Sequence, residues 1–499
     1  GNMKKIITIG FLCWGIITLL WGCYDDKGNY DYHDLPVLEI DTVGIKNERT
    51  QEQMSVLKIE PDIRYDGSKE DLIYLWVMYP KNEVYNKDKG KYPEAIKLSE
   101  QPVLEYVLDV PANKYVVRLT VTDKINKTSS FMTFQVEVLS AFSKGLMVLA
   151  EKEGAFDVDL VHSLRLEPTL EADKEGVIRN IYSVCNQEKL YAAKSLYQKN
   201  NKVYIFTEDG GVRLNNITFE QETDYNDLFL MPEAIASPMA LETSFNNMFY
   251  IINGKTLHSV FGTGRFSTPL LGDYEAAPFL TERKRISGVN GPNLVIYDTK
   301  HQRFMQLPLF GKKLGVYEAM TPGAPFDLNQ IGMKLMHMEN GYNDYCYHVF
   351  LDEKTGTWYL YVINLNTVAQ EPILKADMAG CADISEHTLY AFGTRGEVCY
   401  YAADNKVYLY DYKNSNLSST DGGYCFGMNE KVAVLKVFKS PSDQNLDSKL
   451  LLVATNDAET GEGRVYILEV NEHTGIVNKS TVKMFDGFGM IKDLCFKQS

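Results

Sequence analysis

The sequence lacks the short motifs that mark common hydrolases and nucleotide-binding proteins. None of its eight histidines lies in an H-E-x-x-H motif or has a second histidine at metal-ligand spacing. It has no G-x-S-x-G elbow to expose a serine nucleophile. Two stretches contain glycine, NGKT (253–256) and FGTGRF (261–266). Neither has the further glycine that a phosphate-binding loop or a dinucleotide-binding motif requires. Both are predicted to be turns, and no metal or cofactor site is predicted.

Closely spaced cysteines are also missing. Of eight cysteines, Cys13 lies in the apolar N-terminal run and Cys23 follows it. The remaining six form no CxxC pair, which argues against a zinc site. We expect most of them to be buried as small hydrophobic residues, with one or two disulfides if the location is oxidising. These six are Cys185, Cys346, Cys381, Cys399, Cys425 and Cys495.

Positive charge is scarce as well. The formal charge is −15, and removal of a signal peptide with two lysines and no acids would take it to −17. Binding to nucleic acid needs clustered Lys and Arg, and the sequence has no basic stripe, so no nucleic-acid partner is expected. A hydrophobic content of 45% still provides for sizeable cores, and the length allows two to four domains.

Aromatic residues, by contrast, are abundant. The chain has 32 tyrosines and 23 phenylalanines, many in short alternating runs such as KVYIFTED (202–209) and KVYLYDYK (406–413). Such runs are typical of β-strands. No sustained helical periodicity accompanies them. The composition therefore predicts an all-β protein.

The first residues have the pattern of an export signal. Gly1-Asn2 precede the first methionine and are set aside as a scar. Two lysines are followed by an uncharged, largely apolar run over 6–21, which is short for a membrane span and typical of a signal-peptide core. The run ends in Leu-Trp-Gly-Cys, which resembles a bacterial lipobox. We predict a lipoprotein signal peptide over 1–22 and lipidation of Cys23; the alternative is an ordinary cleavage site beside an unmodified cysteine.

An acidic segment over 23–35 follows the cysteine. It contains Asp25, Asp26, Asp31 and Asp34. Such a segment cannot bury itself and is expected to stay extended as a tether. It also resembles the export signal that sends lipoproteins of Bacteroides-type bacteria to the outer face of the outer membrane. We therefore expect a lipid-anchored protein that faces the outside of the cell. The alternative is that the acidic segment is a solvated linker without a targeting function.

Residues 36–140 show short strands separated by turns. LIYLWVMYP (72–80) is apolar on both faces around Trp76, as expected of a central strand. KYVVRLTVTD (114–123) and SSFMTFQVEVL (129–139) alternate between apolar and polar residues around a polar turn, which predicts a hairpin. The segment is predicted to be an immunoglobulin-like β-sandwich.

The same segment resembles a known family. YLW, followed about forty residues later by YVVRLTVTD, resembles a PKD domain, whose signature is Y-x-W and then Y-x-V-x-L-x-V-x-D. The usual D-F-G-D-G is replaced by VMYPKNEV, as in the divergent PKD-like group of surface lipoproteins of Bacteroides-type bacteria. The next stretch, SAFSKGLMVLAEKEGAFDVDLVH, resembles the continuation of that family into a second unit.

Residues 142–499 contain a repeated sequence pattern: an apolar strand, a turn rich in Gly, Asp, Asn or Lys, and a second strand. Seven copies at intervals of roughly 40–60 residues predict a β-propeller, with seven blades the best guess; the alternative is a large irregular sandwich. Ring closure predicts that GLMVLAE (145–151) shares a blade with, or lies beside, STVKMFD (480–486) or IKDLCF (491–496). The copies begin near residues 145, 202, 247, 292, 345, 388 and 449.

The family resemblance implies a function. It implies a non-enzymatic accessory or binding lipoprotein that works with SusC/SusD-like, TonB-dependent outer-membrane importers of glycans or peptides. One alternative is a propeller-based glycan lyase or hydrolase, because paired carboxylates leave no local motif. Another is a structural or adhesive surface protein.

Any ligand site is expected on propeller loops, with the PKD-like unit as a spacer. Two long stretches, 222–244 and 315–335, are candidates for contact with a ligand or an importer subunit. Six aromatic residues are weak candidates to stack on sugar rings or grip peptide side chains; the alternative, which the sequence favours for each, is a core or strand residue. They are Tyr225, Phe266, Tyr274, Tyr342, Tyr345 and Trp358.

Overall fold

The computed structural model describes residues 34–82, 94–284, 292, 294–365 and 370–499. The predicted signal peptide, Cys23 and nearly all of the acidic tether lie outside these residues.

A β-sandwich precedes the propeller. A five-stranded sheet has the order β2-β9-β8-β5-β6, and two-stranded sheets pair β1 with β4 and β3 with β7. Only β2 and β9 run parallel. The strands are β1 (Leu38–Asp41), β2 (Glu48–Glu52), β3 (Val56–Ile59), β4 (Asp62–Tyr65), β5 (Leu72–Pro80), β6 (Ile96–Ser99), β7 (Leu104–Val107), β8 (Asn113–Asp123) and β9 (Ser129–Leu139).

The sandwich core contains the predicted elements. Trp76 on β5 is fully buried and stacks on Phe134 of β9, with ring centroids 6.1 Å apart. The hairpin of β8 and β9 is confirmed. One detail differs from the prediction: Ile73 and Leu75 on β5 are exposed, so this strand is central in its sheet but buried on one face only. The alternation of side chains across a strand puts them opposite Trp76.

Seven sheets form the propeller. Five have four strands, the third blade has three, and the fourth blade has a two-stranded ladder. In blade 1 the last strand of the chain, β34, pairs with β10. The strands are β10 (Gly145–Lys152), β11 (Ala155–His162) and β12 (Gly176–Ile178) with β34 (Met490–Lys497) in blade 1; β13 (Ala193–Lys199), β14 (Lys202–Thr207), β15 (Gly210–Asn215) and β16 (Gln221–Asp224) in blade 2; β17 (Pro238–Thr243), β18 (Met248–Asn253) and β19 (Thr256–Phe261) in blade 3; β20 (Leu294–Asp298) and β21 (Arg303–Leu307) in blade 4; β22 (Lys334–Asn340), β23 (Cys346–Asp352), β24 (Thr357–Asn364) and β25 (Glu371–Asp377) in blade 5; β26 (Leu389–Phe392), β27 (Cys399–Ala403), β28 (Lys406–Asp411) and β29 (Leu417–Cys425) in blade 6; and β30 (Glu430–Val437), β31 (Leu450–Asp457), β32 (Gly463–Glu469) and β33 (Lys483–Phe488) in blade 7.

Blade 4 is completed by less regular segments. Single bridges join Ala276 to Asp298 on its inner side and Gln306 to Gly315 on its outer side. Helical structure is sparse in the described residues. It consists of α1 (Ile181–Asn186) and 3-10 turns at Lys69–Asp71, Ala172–Lys174, Tyr225–Leu228 and Tyr342–Asp344.

The propeller is held together by seven apolar clusters, one between each pair of neighbouring blades. On β10, Met147 and Leu149 pack toward blade 2, while Leu146 and Val148 pack toward blade 7. Both faces of such a strand are therefore buried, which explains the continuous apolar runs in the repeated sequence pattern.

The ring closes as predicted. Leu146 pairs with Phe496 and Val148 with Leu494, in an antiparallel ladder between β10 and β34. β34 is the innermost strand of blade 1, and the segment IKDLCF supplies it. The predicted all-β fold, a sandwich followed by a seven-bladed propeller, is confirmed.

The sandwich joins the propeller at the end toward which the inner strands run. Lys497, at the end of β34, donates a hydrogen bond to the Ser143 carbonyl in the linker. Gln53 of the sandwich is buried, lies 3.7 Å from the Cys185 Sγ, and donates a hydrogen bond to the Val110 carbonyl. Met54 packs on the cluster between blades 1 and 2. The sandwich is thus docked on one face of the propeller.

Candidate ligand-binding cavity

A cavity of about 540 Å³ lies where the inner strands of the propeller end. Six of the seven blades contribute to its wall, each through the last residues of its inner segment or the loop that follows. The lining residues are Lys199, Glu242, Leu280, Thr281, Glu282, Lys284, Met338, Glu339, Asn340, Asn343, Asp344, Thr394, Arg395, Lys439, Pro441 and Asp447. Nine of these sixteen are charged, so the cavity is strongly polar.

The first ion pair joins blades 2 and 3. Lys199, the last residue of β13, lies with its Nζ 2.6 Å from the Glu242 Oε1 on β17. Burial disfavours the charge on Lys199, but the Glu242 carboxylate outweighs it and raises the pKa of Lys199 above its ordinary value. Lys199 therefore stays charged around neutral pH.

Glu339 links three blades. Its Oε2 lies 2.5 Å from the Lys439 Nζ of blade 7 and accepts a hydrogen bond from the Phe392 N–H of blade 6 at 3.2 Å. Its Oε1 lies 2.8 Å from the His337 Nε2 of its own strand, β22. Burial opposes ionisation of Glu339, but Lys439 and His337 more than offset it and lower its pKa to about 2. Glu339 is therefore a fixed anion.

Two further pairs complete the wall. The Arg395 Nε lies 2.8 Å from the Asp447 Oδ2, which also accepts a hydrogen bond from the Thr394 hydroxyl at 3.1 Å. The Lys284 Nζ lies 3.1 Å from the Asp344 Oδ1 nearer the solvent. Asp447 is buried, so its position fixes that of the Arg395 side chain.

Another pair lies among the inner strands. The Lys436 Nζ of β30 is 2.9 Å from the Asp493 Oδ1 of β34. The Asp493 Oδ2 accepts a hydrogen bond from the Leu196 N–H of β13 at 2.8 Å. Burial opposes the charge on Lys436, yet the Asp493 carboxylate raises its pKa. This pair joins the inner strands of blades 7, 1 and 2.

A thiol and an imidazole lie behind the cavity wall. The Cys346 Sγ is 3.3 Å from the His348 Nε2 and 3.9 Å from the hydroxyl of Thr281, a lining residue. Burial raises the pKa of the Cys346 thiol to about 12 and lowers the pKa of His348 to about 3. A thiolate–imidazolium nucleophile needs the opposite shifts. At neutral pH this pair is uncharged.

The predicted aromatic candidates Tyr225 and Phe266 are core residues. They are 3% and 2% exposed, in the apolar cluster between blades 2 and 3. The Tyr225 hydroxyl donates a hydrogen bond to the Asn253 Oδ1 at 2.8 Å. Both side chains therefore stabilise the contact between these blades.

The other four aromatic candidates are half-buried. The Tyr274 hydroxyl donates a hydrogen bond to the Leu270 carbonyl at 2.8 Å. Tyr342, Tyr345 and Trp358 pack against the cluster between blades 5 and 6. None of the six candidates is among the described residues that line the cavity, and their role as ligand contacts stays a prediction.

The two long stretches have different roles. Residues 222–244 contribute Glu242 to the cavity wall. In 315–335, the Asn329 side chain holds both the N–H and the carbonyl of Tyr317, at 3.0 and 2.9 Å, and Phe326 and Leu328 are buried between blades 4 and 5. The second stretch therefore packs on the blades.

Sequence reasoning did not identify the charged lining residues. They lie at or just beyond the ends of inner strands, a few residues before each copy of the repeated strand–turn–strand pattern. A charged residue recurring at that place, as Lys199, Glu242, Glu339 and Lys439 do, is a signal that could have pointed to the channel.

The described residues contain neither a metal-binding cluster nor a membrane-spanning helix. No group of three or more His, Cys, Asp or Glu side chains there is arranged to hold a metal ion. Within the same residues, no helix has the length and apolarity needed to cross a membrane. The six cysteines beyond Cys23 are all free, four of them buried.

Comparisons with known proteins agree with this architecture. The model of the PKD-like family matches residues 23–193, which cover the sandwich and reach through the first blade into the start of β13. No curated protein matches the chain.

Solved structures resemble the chain at low identity. A quinonprotein alcohol dehydrogenase-like protein from Bacteroides thetaiotaomicron is 12% identical, with a TM-score of 0.50, over 93% of this chain and 100% of that chain. AztD from Citrobacter koseri is 10% identical, with a TM-score of 0.36, over 85% and 97%. At 12% identity, the likeness to the Bacteroides protein shows a shared fold and nothing about function. We draw no conclusion from the likeness to AztD, whose TM-score is lower.

Proposed function

We propose that this protein is a non-enzymatic binding lipoprotein of the outer-membrane surface, an accessory component of a SusC/SusD-like uptake system for glycans or peptides. The observation that carries the proposal is the cavity of about 540 Å³ at the end of the propeller channel. Its volume falls within the range of about 300–1,000 Å³ typical of small-molecule sites.

The state of the charged groups supports binding rather than catalysis. A general acid needs a pKa raised toward the working pH, whereas Lys439 and His337 lower the pKa of Glu339 to about 2. Paired side chains are also held in place before a ligand arrives, which reduces the entropy lost on binding. The cavity wall is therefore suited to reversible recognition of a polar ligand.

The position of the cavity supports delivery to a partner in the membrane. The inner strands end at the cavity, and the linker to the sandwich enters at the same end, where Lys497 contacts Ser143. The sandwich in turn follows the predicted tether and lipid. With the lipid in the membrane, the cavity opens on the anchored side of the propeller, toward an importer.

Binding without turnover tests the proposal. Purified protein is titrated with oligosaccharide and peptide pools in a calorimeter, and the same mixtures are assayed for new reducing ends and cleaved peptides. We expect a pool to bind and its components to remain intact. Cleavage of any component would instead support the alternative of an enzyme.

A pair of matched variants locates the binding. Lys284→Trp fills the cavity mouth, and Lys334→Trp makes the same change in another exposed ion pair, Lys334–Glu386, away from the cavity. We expect the first variant to lose binding and the second to retain it. Equal binding by both variants would exclude this cavity as the site.

A further inference from the structure

After the ion pairs of the cavity are formed, one carboxylate has no partner, and one paired guanidinium still has free N–H groups. The four cations of the wall, Lys199, Lys284, Arg395 and Lys439, each lie within 3.1 Å of a carboxylate. The fifth acidic residue, Glu282, is exposed in the cavity; its backbone carbonyl accepts a hydrogen bond from the Asn340 Nδ2 at 2.8 Å, but its carboxylate makes no hydrogen bond or ion pair with any described residue. The charge of this carboxylate acts at longer range and contributes to the raised pKa of Lys199.

Arg395 supplies a complementary group. Its Nε is bound to Asp447, and its side chain is about one-third exposed. Its two terminal amino groups make no hydrogen bond to the described part of the chain, although the Nε contact fixes the plane of the guanidinium. Two parallel N–H groups of this kind bind a carboxylate in a bidentate manner.

The composition of the wall disfavours a neutral sugar. Sugar sites commonly use the flat face of an aromatic ring, and the described residues that line the cavity include no Phe, Tyr, Trp or His. A neutral ligand would also leave the Glu282 carboxylate unpaired, at a cost that grows as water is displaced. A ligand with both a cationic and an anionic group would satisfy both vacant positions.

We propose that the cavity binds a short peptide with free termini, its ammonium group on Glu282 and its carboxylate on the terminal amino groups of Arg395. This inference rests on the proposed function and names the ligand class of the same site. Glu282 belongs to blade 4 and Arg395 to blade 6, so a ligand that spans the two crosses the channel mouth. The cavity volume of about 540 Å³ restricts the ligand to a few residues.

The test uses peptides that differ only at their ends. Di-, tri- and tetra-alanine are titrated into the full chain beside their N-acetylated and C-amidated forms, with maltotriose as the neutral sugar. We expect at least one free peptide to bind, and each capping group to weaken that peptide about tenfold or more, since one charge-assisted contact is lost.

Two variants assign the ends. Glu282→Gln should bind the free and N-acetylated peptides equally while still discriminating against the amide. Arg395→Lys, which can keep a cation beside Asp447, should lose discrimination against the amide and retain it against acetylation. Glu386→Gln, at an exposed ion pair away from the cavity, is the control and should behave as the parent protein does.

Three results would overturn the inference: no binding of any free peptide, equal binding of capped and free peptides, or retained end discrimination in both variants. Binding of maltotriose without peptide binding, if lost in Lys284→Trp, would refute the peptide and leave the binding function intact. Cleavage of a probe would refute the binding function itself.

Discussion

Glu339 on blade 5 and Lys439 on blade 7 form an ion pair, with 2.5 Å between Oε2 and Nζ. The carboxylate also binds the backbone of the intervening blade at Phe392. One side chain thus fixes the relative positions of three inner strands and one side of the cavity.

Replacement of Glu339 by Gln should destabilise the propeller. The change leaves Lys439 partly buried without its counterion, and we expect a loss of about 2 kcal/mol in the free energy of unfolding, measured by denaturant titration. The matched change Glu386→Gln, in the exposed pair with Lys334, should cost less than about 0.5 kcal/mol. Similar losses in the two variants would contradict this role.

The contribution of this pair to the free energy of unfolding should depend on pH. Because the folded pKa of Glu339 is about 2 and its ordinary value is 4.5, its contribution is fully present above pH 4.5. It should be lost as the pH falls from 4.5 toward 2. The stability difference between the parent and Glu339→Gln, followed by thermal unfolding across this range, should shrink accordingly.

Lys497 should make stability increase with pH in the alkaline range. It is fully buried, and burial lowers its pKa from 10.5 to about 8. Between these values the unfolded chain holds a proton that the fold has released, so the unfolding free energy rises with pH, by up to about 3 kcal/mol. The stability difference between the parent and Lys497→Met should change over this range, whereas Lys492→Met, at an exposed position on the same strand, should show no such change.

Thiol labelling should discriminate sharply among the cysteines. Cys425 is exposed, whereas Cys346 is buried with its thiol pKa raised to about 12. Iodoacetamide at pH 8, followed by peptide mass spectrometry, should modify Cys425 within minutes and leave Cys346 unmodified until the protein unfolds. Rapid labelling of Cys346 in the native protein would reveal a reactive thiolate beside His348.

Ring closure should depend on apolar packing of the last strand. Leu494 on β34 is fully buried between blades 7 and 1, so Leu494→Ala should cost about 2–5 kcal/mol. Leu417 on the outer strand β29 is 60% exposed, and Leu417→Ala should cost less than about 0.5 kcal/mol. Chemical denaturation of the two variants makes the comparison.

The predicted anchor can be tested directly. Mass spectrometry of membrane-extracted protein should find acyl chains on Cys23, and Cys23→Ala should move the protein to the soluble fraction, because buried CH₂ groups each contribute about 0.8 kcal/mol. Cys425→Ala should remain with the membrane. An unlipidated Cys23→Ala protein that still sediments with membranes would refute lipidation as the anchor.

The sequence predicted the architecture because the strands that carry it are apolar on both faces. Ring closure predicts that GLMVLAE shares a blade with, or lies beside, STVKMFD or IKDLCF. The structure pairs it with IKDLCF, with Val148 opposite Leu494. In blade 4 only β20 and β21 show the repeated pattern, because its inner and outer segments have single bridges rather than ladders. Regular burial leaves a pattern in the sequence, and isolated bridges do not.

The site was harder to predict for a related reason. Tyr225 and Phe266 were candidates because aromatics on loops can face solvent, but they fill the space between two blades. Glu339 and Lys439 are a hundred residues apart in the sequence, and only the closed ring brings them together. No local pattern records a contact of this kind.

The pairing of β34 with β10 also determines when the propeller can be finished. Lys497 and its partner Ser143 are 354 residues apart, so on the ribosome the first blade emerges long before the strand that completes it. Until then β10 presents an unpaired edge, the kind of surface that recruits other strands or chaperones. A stop codon anywhere in the last blade would leave that edge of β10 unpaired permanently. The presence of β34 therefore distinguishes closed propellers from truncated chains, which cellular quality control should remove.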